Sequence, residues 1–254
     1  PQEARQAAEY AVHCLEGVAA AWKSLGRDFR ERMSQITDPL ALKMITSVQA
    51  VGDADLTPMA AVAGTISDAV ADFLFQRGMT RVLVDNGGDI AIRSCDGEPV
   101  NVGIRLQPDQ RNVSHAVVLG PERTAWGVAT SGLGGRSLTR GVLEAATVVA
   151  GDASLADAAA TAVANASYIA DSGVVRKPAE EVDPHTDIAG LDVTVRVDPL
   201  AEERKQLAID QALRRAEDLI GRHVIIGAFV ACQGRIGMTP FMAERVMTPS
   251  KKPI

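Results

Sequence analysis

Apolar residues recur at three- and four-residue steps through Leu15, Val18, Trp22, Leu25 and Phe29, while Glu16, Lys23, Arg27 and Arg30 occupy the opposite side. That spacing predicts an amphipathic helix over 3–33. Asp38-Pro39 breaks the pattern, because a residue before proline avoids the helical region. A second helix is predicted from Thr57-Pro58 to about Gln76, with Thr57 as N-cap, Pro58 as first helical residue and Gly78 as the stop. Gly64 inside that helix costs about 1 kcal/mol against alanine, so another backbone or a ligand is expected to come close there.

Strand signals follow at Arg81–Asp85, Ile90–Arg93, Val100–Leu106, His115–Leu119, Trp126–Thr130, Glu144–Ala150 and Asp192–Val197. Asn86-Gly87-Gly88-Asp89 and Asp96-Gly97 read as tight hairpin turns. A third helix is predicted from about Ser154 to Ile169 and a charged amphipathic one over 201–220. Val224–Cys232 and Arg235–Thr239 form a closing hairpin, and the polar stretch 171–190 reads as a mobile surface loop. Strands grouped in hairpins with interposed helices predict an α+β fold with antiparallel sheets backed by helices, rather than a doubly wound one. No linker divides the chain, so residues 1–254 are expected to form a single domain.

Composition narrows the function. The chain has 254 residues, 46% hydrophobic and 23% charged, with 26 Lys plus Arg against 32 Asp plus Glu and a net charge of −6. An acidic balance argues against a nucleic-acid partner. No apolar run is read as long enough to span a membrane, and the N-terminus lacks a signal-peptide layout. The chain opens at Pro1 rather than Met, which leaves room for a short leader. Cys14, Cys95 and Cys232 form no CxxC pair, so a reducing cytoplasm is expected. Exposed sheet edges and two long helices give a mild expectation of a homodimer.

Three segments offer chemistry. Asp157, Thr161 and Asn165 stand at i, i+4 and i+8 on the third helix and share one side of it. A carboxylate and a hydroxyl one turn apart are hard oxygen ligands suited to Mg²⁺, although spacing alone favours a solvated polar face. Ala129–Ser137 is a glycine-rich loop in which Gly132, Gly134 and Gly135 would free N–H groups for an anion, Thr130 and Ser131 add hydroxyls, and Arg136 would pair with phosphate. It lacks the Gly-Lys-Ser/Thr of a P-loop, and a flexible turn explains it equally well. Asn86–Asp89 is either a structural turn or a backbone that passes close to a ligand. His13, His115, His185 and His223 show no metal spacing, and no nucleophile has a local signature.

Taken in order, Pro58–Gly64 through Asp68 to Asn86–Ile90, then Gly127–Gly132, then Ala156–Thr161 resemble the ApbE-like superfamily, best known for FAD:protein FMN transferases. The likeness covers roughly residues 55–170 and is closest to a shorter, uncharacterised branch. It implies a T-fold-related architecture and a cleft for Mg²⁺ and FAD or a related flavin nucleotide. In that family the acid and hydroxyl of the third helix bind the metal, which implies Asp157 and Thr161 here, with a backbone carbonyl near Val62. Gly87, Gly88, Asp89, Thr130, Ser131 and Gly132 are implied at the flavin site. Two departures stand out. The transferases' Lys-Gly-Tyr stretch reads Ala63-Gly64-Thr65, and their His-x-x-Asp-Pro-x-Thr-Gly motif is missing between Leu133 and Ser154. The expectation is a Mg²⁺-dependent protein with a small, phosphate-bearing ligand, either an enzyme related to the transferases, a non-catalytic nucleotide carrier, or a protein that keeps only the fold.

Overall fold

A computed structural model describes residues 2–106, 113–135 and 137–248. In chain order its elements are α1 (Gln2–Ala21), α2 (Phe29–Arg32), α3 (Pro39–Val51), α4 (Val62–Phe75), β1 (Arg81–Asn86), β2 (Asp89–Ser94), β3 (Val100–Ile104), β4 (His115–Leu119), β5 (Ala125–Ser131) and β6 (Ala145–Ala150). There follow α5 (Ala153–Ala166), β7 (Val174–Pro178), α6 (Ala179–Val182), β8 (Asp192–Val197), α7 (Glu202–Gly221), β9 (Gly227–Cys232), β10 (Arg235–Met238), α8 (Pro240–Arg245) and β11 (Val246–Met247).

A six-stranded sheet in the order β1-β2-β5-β6-β9-β10 forms the centre, and every neighbouring pair in it is antiparallel. A β11-β4-β3 sheet and a β7-β8 pair complete the α+β architecture. One face of the central sheet buries Ala129, Val148 and Val230 together with residues of α3, α5 and α7. The other buries Val128, Val149 and Phe229 with β3, β4 and Met242 of α8. β6 and β9 are therefore buried at every position. This is why their sequences are continuous apolar runs instead of alternating ones.

α5 lies against β5 and β6, flanked by α3, α4 and α7. Its alanines make it thin enough for that position, and glycine completes the fit. A Cβ on Gly64 would stand 2.1 Å from the Ala153 carbonyl oxygen, and one on Gly127 would stand 2.0 Å from that of Asp152. The close approach expected at Gly64 is thus made by the backbone of α5.

Several elements differ from the sequence reading. The helix over 3–33 stops at Ala21. Leu25 and Phe29 both turn fully into the core after a tight turn, while Leu15 and Trp22 stay outside. Asp38-Pro39 starts a helix as well as ending a pattern. The Asp38 carboxylate accepts from Ala41 N at 2.8 Å and Pro39 sits where no N–H is needed. Pro58–Ala61 is a 3₁₀ turn ahead of α4, and the third helix ends at Ala166. Pro58–Phe75 has the length and apolar composition to cross a membrane, contrary to expectation. It is nonetheless built into the fold, with Thr65, Ser67 and Asp68 fully buried. Asp96-Gly97 does not join a hairpin, because β3 leaves for the second sheet and pairs with β4. Residues 171–190 contain β7 and α6 rather than a loop throughout. The closing strand begins at Gly227, and α8 and β11 follow it.

Candidate functional site

The site is built around the N-terminus of α5. Asp152 caps it, accepting from Leu155 N at 2.8 Å. Asp68, fully buried on α4, accepts from Ala153 N at 3.1 Å and Ser154 N at 3.0 Å. The same carboxylate receives Lys43 at 2.8 Å and Arg93 at 3.0 Å. Burial alone would raise the Asp68 pKa. Lys43 and the two helix N–H groups outweigh it and hold the carboxyl below its ordinary value. Ser154 Oγ shares hydrogen bonds with Ser47 and Thr65, at 2.7 and 2.6 Å. Together these bonds fix the rotation of α5 and so the direction of its polar side.

That side faces a cavity of about 270 Å³, lined by Asp157, Thr161 and Asn165. Val62 lines it too, so both halves of the expected metal set meet there, and Asp89, expected at the flavin site with Gly87 and Gly88, lines this cavity instead of theirs. Asp157 is half-buried and lines this space. Its Oδ2 accepts from Gly64 N at 3.0 Å, which satisfies a donor in the first turn of α4, a helix without a side-chain cap of its own. Burial pushes the Asp157 pKa well above the ordinary carboxylate value. The charge of Asp89 adds to this, and the Gly64 and Ala63 N–H groups oppose it.

The sequence reading did not assign further residues of this cavity. Asp55 and Arg140 form an ion pair on its wall, and Arg140 N donates to Asn165 Oδ1 at 2.8 Å. Asp183, His185, Thr186, Asp187 and Ile188 line it from one continuous strap. The strap is tied down by a hydrogen bond from Thr57 Oγ1 to Asp187 and by Arg27 to the Ala189 carbonyl at 3.1 Å. Thr57 is therefore spent on the strap instead of capping a helix. The available signal was the density of Asp, His and Thr in Asp183–Asp187, which also suits an exposed loop.

A second cavity of about 270 Å³ opens on the other side of the Asn86–Asp89 turn, between the central sheet and β3. Gly87, Gly88, Thr130, Ser131, Gly134 and Gly135 line it, with Ile90, Val102 and Val128 as its apolar part and Asp85, Arg105 and Glu144 as its charged part. Thr130 and Thr147 share a hydrogen bond of 2.8 Å in its wall. Gly88 faces this cavity and Asp89 the metal-type one, so the two spaces adjoin across a single peptide link.

The glycine loop meets this cavity in an unexpected way. Leu133 N and Gly134 N donate to the Leu143 and Glu144 carbonyls, and Gly135 N donates to Gly132 O. Those three N–H groups are committed to backbone carbonyls of the protein. Gly132 is buried at φ 134°, where a Cβ would lie 2.7 Å from the Glu144 carbonyl oxygen. Arg136 lies outside the described residues.

A family model described as AbpE bacteria matches residues 1–238. The chain belongs to this ApbE-like family. Similar curated proteins include a UPF0280 protein of Methanosphaerula palustris, 42% identical over 117 residues, covering 46% of this chain and 48% of the relative. One from Methanosarcina barkeri is 41% identical over 129 residues, covering 50% and 49%. A third, from Methanococcus vannielii, is 34% identical over 143 residues, covering 56% and 58%. The chain thus spans about half the length of the curated relatives it matches, and their names state no activity.

For an ApbE-like protein the donor chemistry is the test of a metal. Among the described residues no three His, Cys, Asp or Glu side chains converge as a ready-made metal cluster. Asp157, Asp89 and Thr161 bring oxygen side chains to one cavity, which Val62 and His185 also line. A set of hard oxygens with places left for water and phosphate fits Mg²⁺ and not a soft metal.

Proposed function

We propose that this ApbE-like protein binds Mg²⁺ and a phosphate-bearing nucleotide, with FAD or a related flavin as the first candidate, and acts on that nucleotide as an enzyme related to the FMN transferases. The observation that carries this reading is the adjoining pair of cavities on either side of Gly88 and Asp89, one with Ile90, Val102 and Val128 in its lining, the other with the carboxylates of Asp89 and Asp157 and the Thr161 hydroxyl. A dinucleotide has the same division into planar ring and charged phosphates. Ile90, Val102 and Val128 would take the ring, and the hydroxyls of Thr130 and Ser131 would orient its polar edge. Mg²⁺, when bound by Asp157, Thr161, Asp89 and the Val62 carbonyl, supplies neutralisation of diphosphate charge. Such neutralisation matters here, because Asp55, Asp89, Asp157, Asp183 and Asp187 all line the same space against Arg140. The strap over 183–188 would exclude water. A reducing, cytoplasmic setting accords with the free thiols of Cys14, Cys95 and Cys232.

A second reading, a non-catalytic nucleotide carrier, is favoured by one observation. The stretch between Leu133 and Ser154, where the transferases carry His-x-x-Asp-Pro-x-Thr-Gly, is here taken up by the glycine loop and the buried strand β6. The test is the visible absorbance and thermal shift of the protein with FAD, with and without MgCl₂, followed by product analysis. A Mg²⁺-dependent shift with FAD consumed supports the enzyme, and a shift with FAD intact supports the carrier. No response to flavin or to Mg²⁺ removes both.

A further inference from the structure

We propose that β1 is the seam of a homodimer, in which two copies of β1 pair antiparallel about a two-fold axis through Leu83. β1 ends the central sheet, and among the described residues nothing pairs with its outer side. Its ladder fixes which groups face outward. Cys95 N donates to the Thr80 carbonyl at 2.9 Å, and the register sets Arg81 opposite Ser94. Hydrogen-bonded pairs alternate along an antiparallel ladder. Val82 and Val84 therefore turn their N–H and C=O groups toward β2, and Arg81, Leu83 and Asp85 turn theirs outward. Three outward residues at alternate positions are what a partner strand needs.

The side chains on those three residues are self-complementary. With Leu83 opposite the partner's Leu83, Arg81 stands opposite the partner's Asp85, and the two-fold axis makes this pairing twice. Arg81 uses Nε and Nη2 on Asp96 and the Glu98 carbonyl of its own hairpin. Its guanidinium has five N–H donors, so the Nη1 side serves the partner. Leu83, at the middle of this uncovered edge strand, is 49% exposed.

The other face of the same edge repeats the argument. A groove of about 410 Å³ runs between α1 and α4 beside Val84, walled by Ala11, Val12, Leu15, Ile66 and Val70. Val12 and Leu15 are more than half exposed there, at 57% and 55%. A two-fold axis perpendicular to the sheet puts both α1 helices on one side, where these residues meet their own copies across the seam. An unrelated protein would have to supply the opposite charge order and a second apolar stripe at this spacing. A second copy of this chain supplies both.

Light scattering at micromolar concentration tests the seam. The expected mass is twice that of one chain. Leu83→Pro removes an outward N–H without removing a bond to β2, so it should halve the mass while the circular dichroism spectrum stays unchanged. Asp85→Arg sets like charges opposite each other and should also give monomer, and Arg81→Asp combined with Asp85→Arg should restore the dimer. A monomeric wild type overturns the proposal. So does a dimer that survives both Leu83→Pro and Asp85→Arg, since its interface then lies elsewhere.

Discussion

The two cavities that meet at Gly88 and Asp89 are equal in size and opposite in construction. The one beside β3 is made by strands. Ile90, Val102 and Val128 carry the apolar core into its lining beside the charged side chains of Asp85, Arg105 and Glu144, and the Gly134 and Gly135 N–H groups that line it are already bonded. The one beside α5 is made by helices and by a strap that crosses from far along the chain. Its acidic wall stands on a buried network of ions centred on Asp68. The first is shaped by the same forces that form the sheet. The second places Asp157 and Asp89 near each other at a cost that a cation would relieve.

That contrast is most severely tested by removing its foundation. Asp68→Ala leaves Lys43 and Arg93 without their shared carboxylate and two helix N–H groups without an acceptor. Breaking a buried ion pair this way costs about 3–5 kcal/mol. Chemical denaturation should register that loss, and Mg²⁺ should no longer stabilise the variant. Gly64→Ala drives a methyl group into the α5 backbone, and overpacking of this kind costs about 1–3 kcal/mol. A melting temperature unchanged by it would mean that α4 and α5 are not in this contact.

Asp157→Ala separates the chemistry from the scaffold. Loss of its bond to Gly64 N costs about 1 kcal/mol. A ligand held at a hundred times its dissociation constant contributes about 2.7 kcal/mol. Melts in Mg²⁺ against EDTA should therefore show a metal response in the wild type that the variant lacks. A variant with the full response would reduce Asp157 to a helix cap. Thr130→Val, in the other cavity, should leave the Mg²⁺ response intact and weaken only flavin binding, by about 1 kcal/mol for one hydrogen bond.

Acidity distinguishes the two carboxylates of the helical side. Asp157 has a raised pKa in the fold, so its contribution is fully present below the ordinary carboxylate value of 3.8 and is lost as pH rises through the raised one. Asp68 has a lowered pKa, so its contribution is present above 3.8 and is lost as pH falls through the lowered one. Without metal, stability should rise on mild acidification from neutrality and collapse only at lower pH. Mg²⁺ or Asp157→Asn should flatten the first limb and leave the second, as urea midpoints across pH would show.

The sequence made the strand-built side far more legible than the helix-built one. Tight turns and short apolar runs are local signals, and they located Asn86–Asp89, the strands around it and the alanine-rich helix α5. The i, i+4, i+8 polar stripe was visible, but periodicity cannot tell a face turned to a cavity from one turned to water. Asp55, Arg140 and Asp187 reach the site only through long-range contacts, from loops whose composition also suits plain surface. Asp38-Pro39 was read as an interruption because the restriction on the residue before proline is shared by helix ends and helix starts. The 3₁₀ turn at Pro58–Ala61 follows from packing against α3 and α5, which no local pattern reports.

Gly64, Gly127 and Gly141 bring backbone against α5 at both ends, where a methyl group on any of them would lie within about 2.1 Å of a helix carbonyl oxygen. In mechanical terms the helix is an anvil. It has no slack to slide or roll, so the directions of Asp157, Thr161 and Asn165 are constants of the molecule. Compliance is left to the opposite wall, where the strap is held from outside by Thr57 on Asp187 and Arg27 on Ala189. A ligand entering beside α5 would meet one face fixed by backbone contacts and one that, among the described residues, is held from outside its own segment by these two hydrogen bonds. Selectivity in such a clamp would be set at the strap, since the α5 face would be the same for every guest.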